Sequence, residues 1–337
     1  MATFRLFVAV CQLLGIPIFQ GDNNAAYLNA LLAIKQNLES LEGYPCKTDG
    51  MVYVVQKALY GLKQSGREWS TEVNGWFLRY GFNRCATESC LYYYNRDGEF
   101  ALVLLYVDGI LCAIKNEDFK KKIFQKLDED YGLKDQGLLN TYLAVEVGQN
   151  DNSIKIHQTK YCEDVIERFN FSDAHASRIP METKMRLTVN DTDTANRKQV
   201  PENGKVLSYR ELIDSLIYLA TSTRPDIAHV VEQRVDTCRV LHSSTLERRS
   251  EGYGTWLDPR AKALCIQEMQ QMQVVSLSLM GFVTRTRERP RHEEKCNWLR
   301  ELHGRRAISW ASRRQAIVAL STAEAEYVAA CESCMDR

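Results

Sequence analysis

Two apolar runs, Ala101–Val107 and Ile110–Ile114, flank an Asp-Gly pair in the stretch FALVLLYVDGILCAI. The runs are nearly continuous rather than alternating, the pattern of strands buried on both faces. Asp-Gly between such runs predicts a hairpin with residues 108 and 109 at the centre of a type I′ turn, where both central residues need φ > 0. Asp108 is then a carboxylate held on a rigid element at the edge of a core. Taken alone, it need do nothing but serve the turn.

The same reading extends along the chain. Apolar residues recurring at three and four predict a helix over Thr3–Leu14, closed by Gly15 and Pro17. A short strand, Ile16–Phe19, runs into Asp22, which by position caps a second helix over Ala25–Leu41 unless Asn23 or Asn24 takes that role and frees it. Met51–Val55 is strand-like. KALYGLKQSGREW (Lys57–Trp69) mixes basic, aromatic and glycine residues, and reads as a turn entering a helix that Gly81 stops after Tyr80. A strand at Leu91–Tyr94 precedes the hairpin, and a charged amphipathic helix, Glu117–Tyr131, follows it. Tyr142–Val147 and Ser153–His157 predict another hairpin around residues 149–152. Helices over Lys160–Phe169 and Tyr209–Thr221 are separated by an aperiodic polar linker, Thr188–Gly204. Strands and helices without strict βα alternation predict the α+β class.

Charge and cysteine content narrow the picture only a little. The 337 residues suffice for two domains or one large one, and 43 basic residues against 43 acidic ones give no overall bias towards nucleic acid. Arg285–Arg314 carries ten Lys or Arg against four Glu, which reads first as a solvated face. Eleven cysteines lack framework spacing, and the CxxC at Cys331–Cys334 has no second pair or histidine cluster in range. Reduced intracellular thiols are the expectation, without zinc. The apolar Phe4–Phe19 segment is interrupted by Gln12 and precedes no small-residue cleavage site, so it reads as a helix feeding a strand rather than a leader. No run approaches the ~18 apolar residues that span a bilayer. The expected setting is intracellular, cytoplasm or nucleus, with no membrane partner.

Seven segments, in this order, are more specific than any of these patterns: QGDNNAAYLNA (Gln20–Ala30), VYVVQKALYGLKQSGREW (Val52–Trp69), YVDG (Tyr106–Gly109), YLAVEV (Tyr142–Val147), IHQTKYCEDVIERF (Ile156–Phe169), YRELIDSLIYLATSTRPDIAHVV (Tyr209–Val231) and AISWASRRQAIVALSTAEAEYVA (Ala307–Ala329). Together they resemble the reverse transcriptase of copia-type (pseudoviral) LTR-retrotransposon Pol polyproteins, over Thr3–Val231 and again over Arg306–Glu332. The resemblance implies a right-hand polymerase palm, an antiparallel sheet with packed helices and truncated fingers, in residues 1–150. A thumb- or connection-like segment in 151–231 would follow, and a truncated ribonuclease H-like α/β remnant in 306–337. It also implies a chemistry, extension of a DNA strand on an RNA or DNA template from deoxynucleotides through two Mg²⁺ ions, with Mn²⁺ as a substitute. Hard divalent cations of that kind take carboxylate oxygens converging from adjacent strands. By the match, Asp22 and Asp108 are the metal-holding catalytic acids, Tyr27 occupies the ribose-gate position, and Gln64 lies in the loop that touches the incoming nucleotide. Glu326 matches the ribonuclease H helix acid, isolated from its partners.

Departures from the family pattern shape the functional expectation. Where the family has YVDD, this chain has Gly109, which removes one anionic ligand within reach of two cations. A family glycine is Ala144 here, a mild change unless its φ is positive. Another is Asp214, which would put a charge on a packed helix face. Residues 232–305 break the resemblance and read as degenerate, out-of-frame, disordered text whose basic run reflects codon accident. The expectation is therefore a fragment of an RNA-directed DNA polymerase without polymerase activity. A catalytically silent nucleic-acid binder using KALYGLKQSGREW is the alternative, and a carboxylate-pair hydrolase is a remote third.

Overall fold

A computed structural model describes residues 1–39, 41–44, 48, 50–150, 153–169, 209–232, 296–303, 306–314, 324, 327–329 and 331. The chain divides into two compact units, one formed by residues 6–140 and 148–154, the other by 1–5, 141–147 and 155 onward. The elements are mixed α and β, and the sheets are antiparallel.

The first unit is organised by a six-stranded sheet. Its strands are β1 (Ile18–Asn23), β4 (Asn83–Arg84), β5 (Leu91–Arg96), β6 (Glu99–Tyr106), β7 (Gly109–Ile114) and β8 (Leu133–Leu138), in the order β4-β5-β6-β7-β1-β8. The continuous apolar text of the hairpin is explained by this position: Ile110 to Ile114 are all buried at the sheet's centre. Helix α2 (Ser65–Tyr80) lays Trp69, Val73, Trp76 and Phe77 into the core at spacings of four, three and one, the stripe an amphipathic helix presents. Each such buried side chain stabilises the fold by about 1.5–3 kcal/mol. Gly81, at φ 110°, ends the helix by donating to the Leu78 and Phe77 carbonyls, where a residue with a Cβ would be strained. Helix α3 (Glu117–Tyr131) starts at Asn116, whose side chain accepts from the Asp118 and Phe119 amides, and closes at Gly132 in the left-handed region.

Two sequence expectations fail in this unit. Ala25–Leu41 is not a helix: a single 3₁₀ turn, Ala26–Asn29, gives way to β2 (Leu31–Leu38), which pairs with β3 (Tyr53–Lys57) as a ribbon. The helix-like spacing of Leu28, Leu31, Leu32 and Leu38 was misleading because most of that apolar surface stays exposed, Leu31 at 74% and Ile34 at 60%. Asp22 is not a cap either. It sits within β1, and Ala25 precedes the 3₁₀ turn with no side-chain cap.

In the second unit, α1 (Ala2–Leu14) contributes its first turn; of the three-stranded sheet β9 (Thr141–Tyr142), β10 (Val145–Asn150) and β11 (Ser153–His157), residues 141–147 and 155–157 belong to this unit. Helix α4 (Thr159–Arg168) packs Cys162 and Val165 against Leu212, Leu216 and Leu219 of α5 (Tyr209–Ser222). The expected strand Tyr142–Val147 is interrupted. Leu143 (φ 48°) and Ala144 (φ 55°) form a two-residue turn between the paired Tyr142 and Val145. Both central residues are left-handed, so the substitution at Ala144 is not mild. The Tyr218 hydroxyl pins this turn by donating to the Leu143 carbonyl. Asp214, expected on a packed face, is exposed. Strands β12 (Cys296–His303) and β13 (Arg306–Arg314) pair antiparallel, so the end of the interval without readable periodicity takes up β structure. The buried Arg5 guanidinium donates to the carbonyls of Ile308, Thr221 and Ser222 and lies 3.7 Å over the Trp310 ring. The linker Thr188–Gly204 and most of residues 232–305 lie outside the described residues.

Candidate functional site at the acid-bearing strand ends

The central strands bring the two acids together through their backbones. In the β1–β7 register Asp22 stands opposite Gly109, and the Asn23 amide donates to the Asp108 carbonyl at 3.0 Å. Both acids therefore lie at the same end of adjacent strands, although 86 positions separate them in sequence (108 − 22). On its other side Asp22 stands opposite Lys134 of β8.

The turn that carries Asp108 differs from the sequence expectation. Tyr106 pairs with Gly109, so the two central residues are Val107 and Asp108, and Gly109 is the first residue of β7. Val107 has φ 52°, while neither Asp108 nor Gly109 has positive φ. A β-branched residue in that region is strained by about 1–3 kcal/mol. What holds it is Trp69, whose indole N–H donates to the Val107 carbonyl at 2.7 Å from the buried face of α2. The glycine was read as the turn-former, yet its backbone needs no glycine. A Cβ at residue 109 would meet only the Tyr106 carbonyl oxygen, at an ordinary 3.5 Å.

Around the acids the side chains are incompletely satisfied. Asp108 Oδ1, both side-chain polar atoms of Asn23 and the Gln64 Nε2 are buried without a hydrogen-bond partner among the described residues. Orphan polar atoms of this kind mark strain or a missing ligand. Tyr27 is half-buried in the 3₁₀ turn, with its ring 4.4 Å from that of Tyr60. A Cβ at Gly66 would stand 3.6 Å from the Tyr27 hydroxyl, an ordinary contact. The Tyr60 phenol lies in the field of the Asp108 carboxylate. Local desolvation and that carboxylate push it above the usual phenol range. Tyr60 and Trp69 were not singled out from sequence. Both stand in the KALYGLKQSGREW segment, whose mixture of aromatic and basic residues was the available signal. Gln64 immediately precedes α2 and makes no side-chain cap. Glu326 lies outside the described residues.

The donor set suits a hard divalent cation but is thin. Asp22 and Asp108 offer carboxylate oxygens, and the unpaired Asp108 Oδ1 is the kind of atom an ion would satisfy. No group of three or more His, Cys, Asp or Glu able to hold a metal occurs among the described residues. Nor does any described helix have the length and apolarity to cross a membrane.

Comparison with known proteins agrees with the sequence resemblance. Residues 1–183 match the family model described as reverse transcriptase (RNA-dependent DNA polymerase). The chain is 27% identical to the retrovirus-related Pol polyprotein from transposon TNT 1-94 of Nicotiana tabacum, across 99% of this chain and 25% of that protein. It is 28% identical to the corresponding polyprotein from transposon RE2 of Arabidopsis thaliana, across 68% of this chain and 15% of the relative. The Ty5-1 protein YCL074W of Saccharomyces cerevisiae is 22% identical across 94% of this chain and 99% of its own length. The chain thus spans a quarter or less of the two plant polyproteins it matches.

Proposed function

Because the chain belongs to the reverse transcriptase (RNA-dependent DNA polymerase) family, we propose that its first unit is a polymerase palm whose nucleotidyl-transfer site is reduced to two acids and does not sustain DNA synthesis. The observation that carries this reading is the β1–β7 register, which sets Asp22 opposite Gly109 and joins Asn23 to Asp108 at 3.0 Å. Asp22 and Asp108 would hold Mg²⁺ or Mn²⁺, which when bound supplies activation of a primer 3′-hydroxyl and stabilisation of the pyrophosphate leaving group. Tyr27 would lie under the sugar of a deoxynucleotide and exclude a 2′-hydroxyl, and the unpaired amide of Gln64 would meet the nucleotide. With Gly109 in place of the third acid, the site lacks a full anionic charge where the transition state needs it. Residues 306–337 are proposed as a ribonuclease H-like remnant without hydrolytic activity.

Two measurements test this. Mn²⁺ binding followed by electron paramagnetic resonance is expected for the wild type and lost in Asp22→Asn and Asp108→Asn. Binding untouched by both substitutions would remove the acid pair from the argument. Primer extension on an RNA template with Mg²⁺ or Mn²⁺ is expected to give no product above background, and sustained incorporation would overturn the inactivity. A second reading, a silent binder of template strands, is favoured by exposed Lys57, Lys63 and Arg67 around the exposed Tyr60. It requires RNA or DNA affinity that falls steeply with salt.

A further inference from the structure

We propose that Lys120 is a positioning residue for the cation site: its ammonium, tied to Asp135, locks β8 against β1 in the register that puts Lys134, and not Asp135, beside Asp22. The inference rests on the two-acid reading above and adds the device that fixes one of its two ligands.

Lys120 lies on α3, is 8% exposed, and ends in an ion pair with Asp135 of β8. Its ammonium also lies 4.8 Å over the ring of Phe19 in β1 and 4.6 Å over that of Phe124, one turn further along α3. Aromatic faces at that range favour a cation. One side chain thus touches both strands, and its contact on β1 comes shortly before Asp22. The second carboxylate oxygen of Asp135, Oδ1, accepts from the Gly137 amide at 2.9 Å, and Gly137 has φ 78°. This is the site of a β-bulge. Phe19 pairs with Leu138 but Gly21 pairs with Asp135, so Gln136 and Gly137 together face Gln20. The bulge decides what stands next to the acid. Were the Phe19–Leu138 register continued without it, Asp22 would pair with Asp135, like charges directly opposite. With it, Asp22 pairs with Lys134, and Asp135 turns to the face that α3 covers, where Lys120 receives it. A complete slip would drive the buried Leu133 out of the core, so a chain without the tether loosens here rather than changes register. Loosening of the strand that flanks Asp22 degrades the geometry of one of only two carboxylates.

The test uses the full chain with Mn²⁺ alone as the probe, read by electron paramagnetic resonance at a temperature where circular dichroism shows each variant folded. Lys120→Met keeps a stem between the rings and removes the charge. Asp135→Asn keeps an acceptor for Gly137 and removes the ion pair. Each is expected to weaken Mn²⁺ binding about tenfold, the lower end of what supporting partners of metal ligands contribute. The double variant is expected to bind no more weakly than either single, because the pair acts as one unit. A through-space effect of charge would instead move the two singles in opposite directions, since one removes a cation and the other an anion. Opposite shifts, tighter binding in Lys120→Met, or no change in both would overturn the lock, while loss of binding in Asp22→Asn keeps the acid pair. If Asp22→Asn leaves binding untouched, the acid pair falls, and amide exchange of residues 20–23 and 133–137 decides the lock by itself. Faster exchange there in both singles, with residues 101–105 unchanged, is expected, and wild-type exchange in both overturns the lock.

Discussion

Placing an acid at the proposed third position, Gly109→Asp, is the sharpest perturbation of this molecule. Residue 109 stands directly opposite Asp22 in the sheet, and a directly paired position holds its Cβ about 5 Å away. The backbone at 109 is not left-handed, and a Cβ meets nothing nearer than the Tyr106 carbonyl oxygen at 3.5 Å. Steric cost is therefore close to zero, and the effect should be electrostatic. At about 5 Å, two carboxylates repel by about 1 kcal/mol in water-like surroundings and about 3 kcal/mol at an effective dielectric constant of 20. Without metal, the variant should lose about 1–3 kcal/mol of stability, partly offset by Lys134 on the far side of Asp22. A divalent cation reverses the sign, because ligand oxygens about 2 Å from a doubly charged ion gain more than the acids lose to one another. Cation affinity should rise at least about tenfold, a difference of 1.4 kcal/mol. Thermal unfolding in EDTA and in Mn²⁺, compared for wild type and variant, reads both signs. A variant as stable as wild type in EDTA and no more responsive to Mn²⁺ would show that residue 109 does not face a common site with Asp22.

Three other outcomes follow from the same geometry. Val107→Gly should stabilise the first unit by about 1 kcal/mol in urea unfolding, because relief at φ 52° exceeds the added unfolded-state entropy and the side chain is already 44% exposed. Destabilisation would mean the turn is not strained. Ala144→Gly should add about 0.5–1 kcal/mol to the second unit for the same reason, and a loss there would contradict the left-handed turn at 143–144. Among the described cysteines, thiol labelling at pH 7 should reach Cys85 first, since the Thr87 hydroxyl and the backbone amides of residues 88 and 87 lower its pKa. Cys11, buried and pushed from 9.0 up to about 12, should label only after unfolding. The unfolded chain ionises this thiol first, so stability should fall as pH rises from about 9 towards 12. Rapid labelling of Cys11 in native buffer would refute its burial.

Much of the fold could be read from sequence because its signals were local. The amphipathic pattern of α3 matched its bounds, which the structure shows capped by Asn116 and Gly132, and Gly81 marked the end of α2, since caps and left-handed stops act within one turn. The candidate residues Asp22, Asp108, Tyr27 and Gln64 came from motif resemblance, whereas the approach of Asp22 to the Asp108 turn came only from strand register, which no local window contains. The turn errors have one cause. Asp-Gly is the commonest solution for a two-residue hairpin, and this chain instead places Val107 in the left-handed position with Trp69 as an external brace. A bond spanning 38 positions is invisible to propensity. Leu143–Ala144, with no Gly or Asn, escaped for the same reason, its brace being Tyr218. Strand β2 was misread as a helix because its leucines are not the buried stripe that periodicity assumes.

The Arg5 tie has a consequence for how the chain is made. Its acceptor at Ile308 lies 303 positions later, and those at Thr221 and Ser222 lie 216 and 217 later. At about 5–20 residues per second of synthesis, the guanidinium waits about 15–60 s on the ribosome before its last acceptor emerges. A chain stopped between Ser222 and Ile308 lacks one of the three acceptors, and one stopped before Thr221 lacks all of them.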